Sequence, residues 1–137
     1  MQTVAPSDEE FIYNSGVIIF QIDLERNITF INRDFSKINN YTKDEIISQK
    51  YALLIHPDMP KAVLSKMWET IKAGQNWNGV VKNIEKNGSC YWSQTEIEPI
   101  KDLQNNVTGY ISVAKPASEK SIQESTKLYQ KMIQTQA

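Results

Sequence analysis

The only histidine of the chain, His56, stands in the run Ile55-His56-Pro57-Asp58-Met59-Pro60, just ahead of a helical pattern. A neutral imidazole can donate to a ring carbonyl or ligate a haem iron; it can also pack beside Pro57 and bond to a backbone carbonyl. Asp58 supplies a carboxylate at a helix start, where capping and the helix dipole account for it without a ligand. Trp68 shares an apolar helix stripe with Leu64 and Met67, and its indole edge suits either a core or a flat ring. Trp77, Gly79, Val81 and Asn83 alternate onto one face of a strand, and an asparagine buried there needs a polar partner. Glu96 and Glu98 fall on an outer strand face with no substrate cleft in view, so they are read as solvated.

The remaining chemistry is sparse. Cys90 is the sole cysteine, which excludes an intrachain disulfide and a cysteine-based metal cage. No nucleophile, base and orienting group cluster in the sequence, so catalysis is not expected. The formal net charge is −1 and no long Lys/Arg run occurs, which leaves nucleic-acid binding without electrostatic support. No apolar run approaches the length of a bilayer span, and Asp8, Glu9 and Glu10 lie where a signal peptide would be basic and then apolar. A cytoplasmic protein without direct membrane insertion is expected.

The elements that must position these residues follow from periodicity. Val17 to Asn32 reads as two short strands around a polar turn at Asp23 to Asn27. Phe35 and Ile38 then mark one face of a short helix, and Thr42 with Glu45 forms a capping box for a second. Pro60 to Ala73 is the clearest helix, with Leu64, Met67, Trp68 and Ile71 on one face and Gly74 as the stop. The period then returns to two, with an Asn87-Gly88 hairpin step in which both residues tolerate positive φ, and a further turn at Asp102 to Asn106. Tyr91, Ser93, Thr95 and Ile97 are expected on the cavity face. Trp92 faces outward, exposed unless the N-terminal segment or a second subunit covers it. Residues 118–136 carry a thin apolar stripe, a helix stable only against the sheet or another chain.

The order β-β-α-α-α-β-β-β, with Asn32, Phe35, Tyr41 and Glu45 in GVIIFQIDLERNITFINRDFSKINNYTKDEI, resembles the PAS domain. That implies an α+β fold: a five-stranded antiparallel sheet with short helices and one longer helix enclosing a ligand pocket. Residues 16–115 form the expected sensor domain, 1–15 an N-terminal cap segment and 116–137 a C-terminal helical extension. HPDMP and KMWETIKAGQNWNGVVKNIEKNGSCYW are similar to the aerotaxis-receptor group, which carries FAD and reports redox or energy state. The resemblance implies flavin-pocket roles for Asn32, His56, Asp58, Trp68, Trp77 and Asn83. It departs from the group at Ile55, where an arginine is usual, and at Ala52, where an asparagine is usual.

The function implied is a sensor module that binds FAD, or another small planar ligand, and signals through a homodimer or a chemoreceptor-like protein. Two alternatives stay open: a ligand-free PAS dimerisation module, and a haem sensor with His56 as axial ligand. The helix-borne cysteine motif of light-sensing flavin-adduct relatives is absent, so adduct photochemistry is not expected.

Overall fold

A computed structural model describes residues 3–135. The strands are β1 (Ile18–Asp23), β2 (Ile28–Ile31), β3 (Trp77–Ile84), β4 (Cys90–Lys101) and β5 (Val107–Pro116). The helices are α1 (Arg33–Asn39), α2 (Lys43–Ile46), α3 (Lys61–Lys72) and α4 (Glu119–Thr135), with a 3-10 turn at Tyr51–Leu54. The strands form one antiparallel sheet in the order β2-β1-β5-β4-β3. This is the expected architecture, with the 3-10 turn added.

Local chemistry sets the element ends. Thr42 and Glu45 form both halves of the capping box. Helix α3 starts at Pro60 with no side-chain cap, so Asp58 does not cap it: two residues upstream, its carboxylate turns to Lys82 instead. The three hairpin turns share one geometry. In each, a first residue's carbonyl accepts from the residue three on, and its N–H donates to the carbonyl four on: Asp23 to Arg26 and Asn27, Glu85 to Gly88 and Ser89, Asp102 to Asn105 and Asn106. Arg26, Gly88 and Asn105 hold the left-handed position. Of the Asn87-Gly88 pair, therefore, only Gly88 has positive φ, because the turn is longer than a two-residue hairpin loop.

Antiparallel register builds rows across the inner sheet face. Phe20, Ser112, Ile97 and Trp77 form one row, and Ile18, Ala114, Thr95 and Gly79 the next. The second row is small at its centre, which leaves room between the sheet and the helices. Gly79 lacks the Cβ that would sit 2.4 Å from the Trp77 ring, so the indole folds over its own strand. Phe35, Met67 and Ile71 close the core from α1 and α3, each fully buried.

The outer face is covered differently from expectation. Trp92 is 7% exposed because Tyr129 of α4 lies against it, with ring centroids 6.1 Å apart. Neither a second subunit nor the N-terminal segment is needed there. The N-terminal segment instead continues the sheet at the start of β4, where Cys90 N–H donates to the Glu9 carbonyl and Phe11 N–H to the Cys90 carbonyl.

Candidate functional site

Edge strand β3 leaves carbonyls that need partners, and the segment before α3 supplies one. His56 N–H donates to the Lys82 carbonyl at 3.1 Å, and Ile55 bridges to Asn83. The His56 carbonyl in turn accepts from Met59 N–H. This backbone frame places the imidazole at the wall of a cleft between the β1–β2 turn, the 3-10 turn and α3.

The imidazole's own bonding decides its chemistry. Nδ1 accepts from the Asp58 N–H at 3.0 Å, so the neutral ring carries its proton on Nε2 and is a donor there. Burial holds its pKa below the ordinary value and the nearby Lys82 ammonium adds to this; Asp58 and Glu10 oppose it. The ring is therefore neutral at pH 7. Asp58 is exposed and paired to Lys82, Oδ2 to Nζ 3.0 Å.

The cleft encloses about 1090 Å³. Its apolar wall is built from Tyr51, Ile55, Met59, Leu64 and Trp68, with His56 among them. Trp68 meets Tyr51 edge to face at 5.6 Å, and the Arg26 guanidinium lies 3.7 Å from the indole centroid. Tyr51 and Ile55 also line a second, inner cavity of only about 20 Å³, closer to the size of one water than of a ligand. Asn83 lies on that inner side, with Nδ2 donating to Ser93 Oγ at 2.9 Å, and Ser93 Oγ shares a hydrogen bond with Thr95 Oγ1. Tyr91 closes the same cavity and donates to Asn39 Oδ1; burial pushes its phenol, like that of Tyr51, far above the ordinary value.

The six residues picked from sequence thus divide. His56 and Trp68 meet in the outer cleft and Asn83 lines the inner cavity. Asp58 touches the imidazole but opens onto a groove beside α4. Asn32 caps α1 and clamps the β1 start: Oδ1 accepts from Phe35 and Ile19 N–H, and Nδ2 donates to the Val17 carbonyl. Trp77 covers Gly79 and lines neither cavity. Sequence reasoning missed Tyr51, which partitions the two spaces, and Arg26. Tyr51 could have been found from the apolar run Tyr51 to Ile55 directly before His56; nothing local marks a turn arginine.

A five-stranded antiparallel sheet packed by short helices, with an aromatic cleft between the β1–β2 turn, the 3-10 turn and α3, defines a small α+β domain of the PAS type. The family model described as the PAS fold matches residues 28–114, and the chain belongs to this family. It is 37% identical over 107 residues to the aerotaxis receptor of Escherichia coli K12, covering 78% of this chain and 21% of that protein. It is 32% identical over 123 residues to a blue-light photoreceptor of Listeria innocua, covering 82% of this chain and 48% of that one. The chain therefore spans about a fifth to a half of these relatives. A solved light-oxygen-voltage domain studied with a flavin analogue superposes with a TM-score of 0.72 at 21% identity, over 83% of this chain and 87% of that one, which shows the shared fold.

Proposed function

We propose that this chain is a cytoplasmic PAS sensor module that binds FAD and reports redox or energy state to a chemotaxis-type signalling partner, with no catalysis of its own. One observation carries the reading: a neutral imidazole with its proton on Nε2 lines a cleft of about 1090 Å³ together with Trp68 and Tyr51. That volume lies just above the ~300–1,000 Å³ of ordinary ligand pockets, and the wall combines apolar and aromatic surface with an oriented imidazole donor. The likeness to an aerotaxis receptor and a blue-light photoreceptor supports a flavin as the occupant.

The residues that would hold the ring are Trp68 and Tyr51, as aromatic wall, and His56 by its Nε2–H. Asp58 acts one step back, fixing the imidazole tautomer through its backbone N–H. Asn83 and Thr95 offer polar contacts in the inner cavity, reached past Tyr51 and Ile55, with Ser93 bonded behind both. Asn32 and Trp77 position the elements rather than touch a ligand. A flavin, when bound, supplies a ring whose charge and hydrogen bonding change on reduction, and only a difference in contact between the two states can shift the protein. Residues 16–115 are the sensing body, with 1–15 as a cap and 116–137 as the helical extension toward a homodimer or receptor partner.

The alternatives lose support at particular atoms. Iron ligation by Nε2 needs the proton on Nδ1, which already faces the Asp58 N–H donor. A dimerisation surface built on Trp92 is occupied by Tyr129. The test is the visible spectrum of the purified protein before and after heat release. Flavin bands passing into the supernatant support the reading; a Soret band, or a colourless protein that stays colourless after incubation with FAD, overturns it.

A further inference from the structure

Asp58 stands between the imidazole of its own loop and an ammonium of β3. Its Oδ2 lies 3.0 Å from Lys82 Nζ and 3.7 Å from His56 Nδ1, while its own N–H donates to that same Nδ1 at 3.0 Å. The backbone around these three residues is pinned to β3. His56 N–H donates to the Lys82 carbonyl, Met59 N–H to the His56 carbonyl, and Lys82 N–H to Met59 Sδ at 3.3 Å. A change at Nδ1 must therefore be met by side chains. The Asp58 side chain is 62% exposed and free to turn. The Lys82 side chain is only 18% exposed and runs along a groove walled by Trp92, Thr126, Tyr129 and Ile133, with Nζ 5.8 Å from the Trp92 ring.

We propose that protonation of His56 draws the Asp58 carboxylate from Lys82 to the imidazole and thereby loosens α4, so that the C-terminal helix answers the proton state of the cleft. The step adds one proton from water at Nδ1 and otherwise exchanges hydrogen bonds only. Nδ1–H then faces the Asp58 N–H, two donors 3.0 Å apart, which cannot bond to each other. The acceptor within reach is Asp58 Oδ2, about 1 Å beyond the length of a charge-assisted bond. Lys82 is left without its carboxylate in a groove with an aromatic and apolar wall, where an unpaired ammonium is unfavourable. Part of that wall is the Trp92–Tyr129 contact that holds α4 to the sheet. The charges acting on the ring are Lys82 of β3, which opposes protonation, and Asp58 and the N-terminal Glu10, which favour it. Around the cleft, α3 adds Lys61, Glu69 and Lys72, and the β1–β2 turn and the start of the 3-10 turn add Glu25, Arg26 and Lys50. No ligand enters the argument, which is independent of the flavin reading.

The test is NMR of the full chain between about pH 8 and 5, the range over which a histidine changes charge. It follows the His56 ring, the Trp92 indole N–H, assigned with Trp92→Phe, and the exchange protection of the α4 amides, corrected for the intrinsic pH dependence of exchange. All three signals are expected to share one midpoint, with α4 protection falling about two- to fivefold on the acid side, the scale of one partly exposed ion pair. His56→Gln should remove the response. Asp58→Asn keeps the backbone N–H at Nδ1 but not the carboxylate, so His56 should still titrate while Trp92 and α4 stay flat. Lys82→Met should likewise leave α4 flat with Asp58 intact; if circular dichroism shows that variant unfolded, Asp58→Asn decides alone. The proposal is overturned if Trp92 and α4 stay flat in the wild type while His56 titrates, or if they follow His56 in Asp58→Asn, since its charge would then act without the carboxylate. A His56 that stays neutral until the chain unfolds overturns it as well.

Discussion

His56 and Lys82 are joined through the backbone: the His56 N–H donates to the Lys82 carbonyl at 3.1 Å on the free edge of β3. The loop is therefore placed by backbone pairing to β3, while the imidazole's own bond is the local one from the Asp58 N–H to Nδ1, so the pairing does not depend on the side chain. His56→Ala should keep the fold, with the loop still paired to β3, and lower flavin occupancy by about five- to tenfold, the usual worth of one neutral hydrogen bond. Flavin-to-protein absorbance ratios measure the loss, and circular dichroism checks the fold. Full occupancy in the variant would remove His56 from the site.

The pH response follows from the same ring. Its folded pKa lies below the ordinary 6.5, so between these two values the unfolded chain binds more protons than the native one. Stability therefore rises with pH through that window and falls as pH drops below about 6.5, above the range where the carboxylates respond. His56→Gln should flatten this part of the stability profile in urea titrations. Because Lys82 lowers the pKa and Asp58 raises it, Lys82→Met should shift the single histidine resonance to a higher titration midpoint and Asp58→Asn to a lower one. Identical midpoints in all three proteins would contradict the placement of these charges.

Some of this was legible along the chain and some was not. The face of Leu64, Met67, Trp68 and Ile71 and the alternation of Tyr91, Ser93, Thr95 and Ile97 are short-range periodicities, and both hold as patterns of burial, although of the strand set only Tyr91 and Thr95 line the inner cavity. Asn32 was recognisable as a special residue, but its polarity serves an N-cap and the β1–β2 junction, a need that looks the same in sequence as a ligand contact. Asp58 misled for a related reason: proximity to a helix start suggests a cap, while Lys82, 24 residues on, claims the carboxylate. Trp92 was placed on the correct face, yet its cover comes from Tyr129, a pairing that no local pattern encodes. Arg26 and Tyr51 meet Trp68 only because three separate segments converge on one cleft.

Gly79 is required by a side chain on its own strand. A Cβ there would lie 2.4 Å from the Trp77 ring, with both residues on the inner face. Gly79→Ala should cost about 1–3 kcal/mol, the range for forcing extra atoms into a packed interior. Adding Trp77→Leu should make the glycine replacement nearly neutral, because the obstructing ring is gone. Chemical denaturation of the four proteins gives the coupling; additive losses would place the conflict elsewhere.

Helix α4 is tied to the β3 edge by a hydrogen bond from Tyr129. Tyr129 Oη donates to the Val80 carbonyl at 2.7 Å, two residues along the same edge from the carbonyl that receives His56. The Tyr129 ring covers Trp92, and the Lys82 ammonium lies 5.8 Å from the Trp92 ring while holding Asp58. The cleft loop and the helix thus rest on one strand edge, and disturbing either end should be felt at the other. Tyr129→Phe leaves the Val80 carbonyl without this donor and should cost about 1 kcal/mol, because the ring contact survives. Tyr129→Ala removes the contact as well and should cost roughly 3 kcal/mol or more, with amide protection lost first along α4. Hydrogen exchange resolves this order. If α4 kept its protection in Tyr129→Ala, the Ile122 and Met132 contacts, not the Tyr129 anchor, would be what holds the helix to the sheet.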